Sequence, residues 1–224
     1  VPEYTVYPVP EDLPLLSALP IPISYGTAWT ALLWRAAMQP GETVLVLGAG
    51  SGVGLAAVEI ASALGANVIA CASTPDVVLD AVGGDAFEHS VRAAAANARM
   101  VSVGFASGRI PDVPLNLLLV KNIALHGFFF GRYIGWTPAD ERIVHAPAVQ
   151  RTMSTLFDWA RRQRIRPAVT AIYPITGLAA ALAALESRQV VGKVAITITT
   201  ETTPCVPTTS GAPPGRAAPA QRSM

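Results

Sequence analysis

The stretch Thr43 to Gly54, TVLVLGAGSGVG, followed by the apolar run Leu55 to Leu64, constrains the fold of this chain more than any other feature. It reads as a buried strand, a tight glycine turn and the start of a helix. Gly48, Gly50, Gly52 and Gly54 let the backbone leave the strand sharply and approach an anion with no side chain in the way, and the unpaired N–H groups at the helix N-terminus then face that anion. A dinucleotide pyrophosphate is held in this way on an open parallel sheet. The strict G-x-G-x-x-G spacing is not met, because Val53 stands where a pattern begun at Gly48 needs glycine. The strand before the turn and the helix after it supply the context that spacing alone does not.

The flanking sequence continues the same grammar. Val1 to Pro22 carries Pro2, Pro8, Pro10, Pro14, Pro20 and Pro22, which favour an extended connector over long helices or central strands. A helical pattern runs from Ser24 to Ala37, and Ala66 to Ala72 reads as a second strand, completing a βαβ unit. Val77 to Asp80 is another apolar strand, separated from the second by only Ser73 to Asp76. Parallel neighbours need a crossover of about a dozen residues, so the pattern predicts either a hairpin here or a lost crossover unit near 74–76, and loss of the crossover unit is the favoured expectation. Further on the pattern predicts helices at Asp85 to Ala95, Leu117 to Val120, Val149 to Arg162 and Gly177 to Ser187. Strands are predicted at Arg99 to Gly104, Ile123 to Phe130, Ala168 to Tyr173 and Lys193 to Thr199. Thr200 to Met224, rich in Pro, Thr, Ala and Gly, is expected to be disordered.

Composition narrows the partners. With 51% hydrophobic residues and a formal net charge of +1, the chain has ample core material and no field suited to nucleic acid or acidic membranes. The basic cluster Arg161 to Arg166 reads as a solvated helix end. Cys71 and Cys205 form no disulfide framework, which fits a reducing compartment. His89, His126 and His145 are scattered without metal-ligand spacing, so no metal site is predicted. Glu59 and Lys121 interrupt the two longest apolar runs, no leader opens the chain, and the expectation is a cytoplasmic protein with no membrane partner.

Several ordered motifs together resemble a family: Ser24 to Trp29 (SYGTAW), the glycine turn, Ala63 to Ala66 (ALGA), Cys71 to Thr74 (CAST), Asp76 to Gly84 (DVVLDAVGG), Val101 to Phe105 (VSVGF) and Val190 to Ala195 (VVGKVA). The chain is similar to the zinc-independent, zeta-crystallin-like quinone oxidoreductase branch of the medium-chain dehydrogenase/reductase superfamily. The resemblance implies an α/β fold, a Rossmann-like doubly wound parallel sheet that is incomplete, with remnants of a GroES-like catalytic domain. It divides the chain into a connector and catalytic-domain remnant at 1–23, an NADP-binding domain at 24–172, a C-terminal return segment at 173–199 and a tail at 200–224. It also implies that most of an N-terminal catalytic barrel is missing.

The implied reaction is hydride transfer from NADPH to a quinone or an α,β-unsaturated carbonyl, with homodimerisation through the strand at Ile123 to Phe130. Carried over residue by residue, Ser51, Gly52 and Val53 would lie against the pyrophosphate and Thr27 near the nicotinamide, with a helix cap as the alternative for Thr27. Val103, Gly104 and Phe105 would contact the nicotinamide ribose or ring, Phe129 and Phe130 would wall the pocket or simply pack, and Arg188 would be a late cofactor-contacting base or a surface arginine. No acidic residue lies in Cys71 to Thr74, and Ser73 and Thr74 offer hydroxyls to a 2′-phosphate, which favours NADPH over NADH. Asp76 stands where the family carries a base and is expected to oppose that phosphate. No residue is assigned as catalytic, and Tyr25 and Tyr133 read as packing residues rather than proton donors. Two other readings stay open: a catalytically inactive dinucleotide-binding fragment, and a structural, self-associating protein on a residual Rossmann fold.

Overall fold

The computed structural model describes residues 2–69, 74–187 and 190–198. The proline-rich opening is not wholly extended. It includes the short helix α1 (Leu15–Ala18) and then a continuous helical segment made of a π-helical turn Ile21–Tyr25, α2 (Gly26–Thr30) and a second π-helical turn Ala31–Arg35. Pro20 and Pro22 are tolerated because they sit at the start of that segment, where a missing N–H breaks no helical bond.

The central sheet consists of β1 (Thr43–Leu47), β2 (Asn67–Ile69), β3 (Val77–Asp80), β4 (Arg99–Ser102) and β5 (Ala124–Gly127), all parallel in the order β2-β1-β3-β4-β5. This resolves the tension between the second and third strands. They are neither a hairpin nor neighbours, because β1 lies between them and pairs with both. The hairpin is thereby excluded, and the five strands form one continuous parallel sheet.

The three inner strands β1, β3 and β4 bury both faces, which is why they read as near-continuous apolar runs, whereas the edge strands β2 and β5 are partly exposed. Val44, Val46, Val77, Leu79 and Val101 face one core with Ile21, Leu32, Ile60 and Leu156. Leu45, Val78 and Met100 face a second core with Phe87, Val91 and Ile123. The first core is covered by α2, α3 (Gly52–Ala63) and, after α4 (Gly84–Ala93), α5 (Leu115–Lys121) and α6 (Gly131–Ile134), by the long α7 (Arg142–Arg161). The second core lies against α4 and the flank of α5. Helices on both faces make the architecture doubly wound.

Two boundaries move for local reasons. The strand predicted at Ile123 to Phe130 ends at Gly127, because the chain turns there into α6. The helix predicted from Val149 begins at Arg142 despite Pro147, whose missing N–H leaves only the carbonyl of solvent-exposed Ile143 without its helical partner. Beyond α7, β6 (Val169–Pro174), α8 (Leu178–Glu186) and β7 (Lys193–Thr197) form a separate βαβ unit with parallel strands. No helix among the described residues is long and apolar enough to cross a membrane. Cys71, Cys205, Ser73, Arg188 and the tail 200–224 lie outside the described residues.

Candidate functional site

The glycine turn at the C-terminal end of β1 organises the site. Gly48 adopts φ +77°, a left-handed conformation that side-chain-bearing residues avoid, and the Ser51 N–H donates to the Gly48 carbonyl at 2.8 Å to close the turn. Ser51 then N-caps α3: its Oγ accepts from the Gly54 N–H at 3.0 Å. A Cβ on Gly54 would lie 2.0 Å from the Gly48 carbonyl oxygen, so this glycine is required for helix and strand to meet. Gly50 faces open space, with nothing within 4 Å of where its Cβ would be. One glycine bends the chain, one leaves room and one allows close approach.

A distant segment closes on this turn. Gly192, at φ +89°, donates its N–H to the Gly50 carbonyl at 2.9 Å, and Ser51 and Gly192 form a single parallel bridge. That contact lays the Lys193 stem over Gly52, with Cε 2.7 Å and Cδ 3.2 Å from the position a Gly52 Cβ would take. Among the described residues the Lys193 ammonium has no carboxylate and no hydrogen-bond acceptor. Its charge therefore stands unspent beside the positive end of the α3 dipole. The cleft formed here, about 620 Å³, is lined by the glycine turn, by Ala81, Val82 and Ala106, and by Leu185, Glu186, Val190 and Val191. A smaller cleft of about 410 Å³ between Tyr7, Pro10 and α7 lies away from this turn.

The wall at Ala81 and Val82 is set by Asp80, the last residue of β3, which is fully buried. Its Oδ1 accepts from the Val82 and Gly83 N–H groups, both at 2.9 Å, folding the chain into a turn in which Gly83 and Gly84 have φ +70° and +57°. Burial pushes the Asp80 carboxyl above the usual carboxylate range, opposed in part by those two N–H donors. The folded chain therefore binds this proton more tightly than the unfolded chain. Asp80 favours folding most below its unfolded pKa, and that contribution is lost as pH rises through the raised folded value. In urea unfolding from about pH 4 to about pH 7, Asp80→Asn is expected to gain stability relative to the natural chain as pH rises. A difference between the two chains that does not change with pH would contradict this assignment.

The structure sorts the residues anticipated from sequence. Ser51 and Gly52 line the cleft, whereas Val53 packs half-buried against the first core. Val103 and Gly104 follow β4 on the same rim: the Val103 N–H donates to the Asp80 carbonyl at 2.7 Å, and Phe105 packs on Gly83. Phe129 is exposed, but Phe130 is buried beside Phe128 and Tyr133, so its role is packing. Thr27 is not a cap, because it lies within the continuous helical segment and its carbonyl accepts from the Thr30 hydroxyl.

Thr74 is not brought to the cleft. It sits exposed in the bend entering the N-terminal end of β3, and in a parallel sheet that is the rim opposite the glycine turn. Asp76 is on that opposite rim as well, with Oδ2 accepting from the Thr43 N–H at 2.8 Å, so it does not oppose a phosphate at the turn. Tyr25 donates to Glu59 Oε2 at 2.9 Å, and Tyr133 accepts from Arg35 at 2.6 Å, which ties both phenols into packing. Burial and the neighbouring Glu59 raise the Tyr25 pKa above its ordinary value.

Lys193 and Asp80 were not anticipated as site residues. The one local signal for Lys193 was the glycine before it, which gains meaning only when Gly192 is seen bridging to Ser51. Among the described residues no three His, Cys, Asp or Glu side chains converge as a metal site would require.

Comparisons with known proteins give the chain's family and fold. Residues 60–196 match the model of the zinc-binding dehydrogenase family. The chain is 33% identical to quinone oxidoreductase-like protein 2 of Bos taurus over 86% of its own length and 63% of that relative's, so it spans less than two thirds of the relative. Among solved structures it is similar to the quinone oxidoreductase of Thermus thermophilus, also solved in complex with NADPH, at 29% identity and TM-score 0.71, covering 88% of this chain and 71% of that one. An NAD-dependent alcohol dehydrogenase, at 24% identity and TM-score 0.74 over 89% of this chain and 63% of the other, shares the fold.

Proposed function

We propose, on the premise that this chain belongs to the zinc-binding dehydrogenase family and within it to the quinone oxidoreductase branch of the medium-chain dehydrogenase/reductase superfamily, that it binds NADPH at the glycine turn and serves hydride transfer to a quinone or an α,β-unsaturated carbonyl. The observation that carries this reading is Lys193, unpaired among the described residues and laid over Gly52, at the N-terminus of a helix that begins with a residue carrying no side chain. NADPH, when bound, supplies the hydride from its nicotinamide. The chain's own part is to bind and orient it. The turn N–H groups and the α3 dipole favour the pyrophosphate, Lys193 adds a full positive charge, and Ala81, Val82 and Val190 to Gly192 narrow the cleft around it.

NADPH rather than NADH is favoured because Cys71 to Ser73, which follow β2 in sequence, carry no carboxylate and because Asp76 is held on the far rim. The quinone or enone substrate follows from the family branch alone. A homodimer is the partner this reading favours, since among the described residues β5 pairs on one side only and leaves an edge for a second copy.

Titrating the purified chain with NADPH and NADH tests the reading. NADPH at about a hundredfold excess over Kd should add roughly 2.7 kcal/mol of stability and raise the melting temperature by several degrees. A cooperative melt that neither nucleotide moves would overturn it. Lys193→Met, which keeps the stem and removes the charge, should weaken NADPH about tenfold, the worth of a charge-assisted hydrogen bond, and leave the melt of the free chain unchanged. Equal affinity in Lys193→Met would remove Lys193 from the site.

A further inference from the structure

One buried polar atom beside the glycine turn stands without a partner. Ser24 has no exposed surface, and among the described residues its Oγ makes no hydrogen bond. Burying an unpaired hydroxyl costs a folded chain stability, so such groups are rare and are retained where something else pairs with them. Two other side-chain atoms share this condition: Nε of Arg99, whose guanidinium is ion-paired with Glu42, and Oγ of Ser102 on β4. Ser24 differs in position. Its Oγ lies 3.0 Å from where a Cβ of Gly52 would be, the same spot that Lys193 Cε approaches at 2.7 Å.

The gap left by the missing side chain of Gly52 is thus bounded by the Ser24 hydroxyl on one side and filled by the Lys193 stem on the other. That stem has four rotatable carbons and an ammonium with no partner among the described residues, so little holds it in place. An anion at the turn would draw the ammonium onto itself. Moving the stem off Gly52 would then open the Ser24 hydroxyl to the same anion.

We propose that Ser24 is a cofactor-binding residue, whose Oγ–H donates to a phosphate oxygen of NADPH at the glycine turn when the Lys193 stem lifts from Gly52. The proposal rests on the reading of the turn as the NADPH site. It also explains why the chain retains a hydroxyl that lowers the stability of its free form.

The test is Ser24→Ala, with NADPH binding followed by nicotinamide fluorescence and the free chain followed by thermal melting. NADPH should bind about tenfold or more weakly, as expected for a hydrogen bond to a charged group. The free chain should melt at an unchanged or higher temperature, because the orphaned hydroxyl is gone. Adenosine 2′-monophosphate, which lacks the pyrophosphate, should bind both chains equally. Unchanged NADPH affinity in Ser24→Ala, while the natural chain binds, would overturn the Ser24 assignment and leave the site standing. A lowered melt with unchanged affinity would do the same and point to a buried water as the partner. A natural chain that fails to bind NADPH would overturn the site itself, and this assignment with it.

Discussion

Gly54→Ala is expected to lower the melting temperature by about 10 °C and to abolish NADPH binding, although it adds a single methyl group to a helix. Alanine is the better helix former, so propensity alone predicts stabilisation. Packing reverses the sign. The added Cβ would lie 2.0 Å from the Gly48 carbonyl oxygen and 2.8 Å from the Ala49 Cα, and both obstacles are backbone atoms of the turn itself. No side chain can swing aside, so α3 must move away from β1. Overpacking of this kind costs on the order of 3 kcal/mol, and a chain of this length loses roughly 3 °C per kcal/mol. The same displacement breaks the Ser51 cap on the Gly54 N–H and misaims the N–H groups at the turn. A melt of Gly54→Ala close to that of the natural chain would show that the turn is looser than its geometry indicates.

Gly52→Asp should do the opposite to the fold and the same to the site. The nearest atoms its Cβ would meet are the flexible end of Lys193 and the Ser24 hydroxyl. The lysine stem can rotate away, and an aspartate in the first turn of α3 gains from the helix dipole and from the nearby ammonium. The free chain should therefore melt at an equal or slightly higher temperature. NADPH should not bind, because the carboxylate occupies the approach to the turn, repels the phosphates and takes up the Lys193 charge. Fluorescence titration and thermal melting together separate these two effects. Retained affinity in Gly52→Asp would move the pyrophosphate away from this turn, and a large loss of stability would mean that Lys193 is held more firmly than its surroundings indicate.

Set side by side, the two glycines show what was legible in the chain and what was not. Both were marked by sequence as members of one glycine turn, and both lie at the start of α3 beside it. Which one serves the fold and which the ligand depends on what each would touch. For Gly54 that is the adjacent strand end, close in sequence, but for Gly52 it is Lys193 and Ser24, brought in from the far C-terminal unit and from the opening helical segment. No spacing rule connects residues so far apart.

The misplacement of Thr74 and Asp76 has a related cause. Both follow the second strand in sequence, which suggested its C-terminal end. They serve instead as the approach to β3, and in a parallel sheet every approach lies at the opposite rim.

Local chemistry determined the strand, turn and helix around Gly48 to Gly54, the near-continuous apolar runs that bury β1, β3 and β4 on both faces, and the order of motifs that marks the family. These depend on neighbours within a few residues, where backbone geometry and hydrophobic periodicity act directly. Tertiary structure alone decided that β1 separates β2 from β3, that Asp80 is buried as the brace of the cleft wall, that Phe130 packs while Phe129 stays exposed, and that Lys193 covers Gly52. Those facts come from contacts between segments distant along the chain, and such contacts are selected by the packing of the whole domain, which no local pattern encodes.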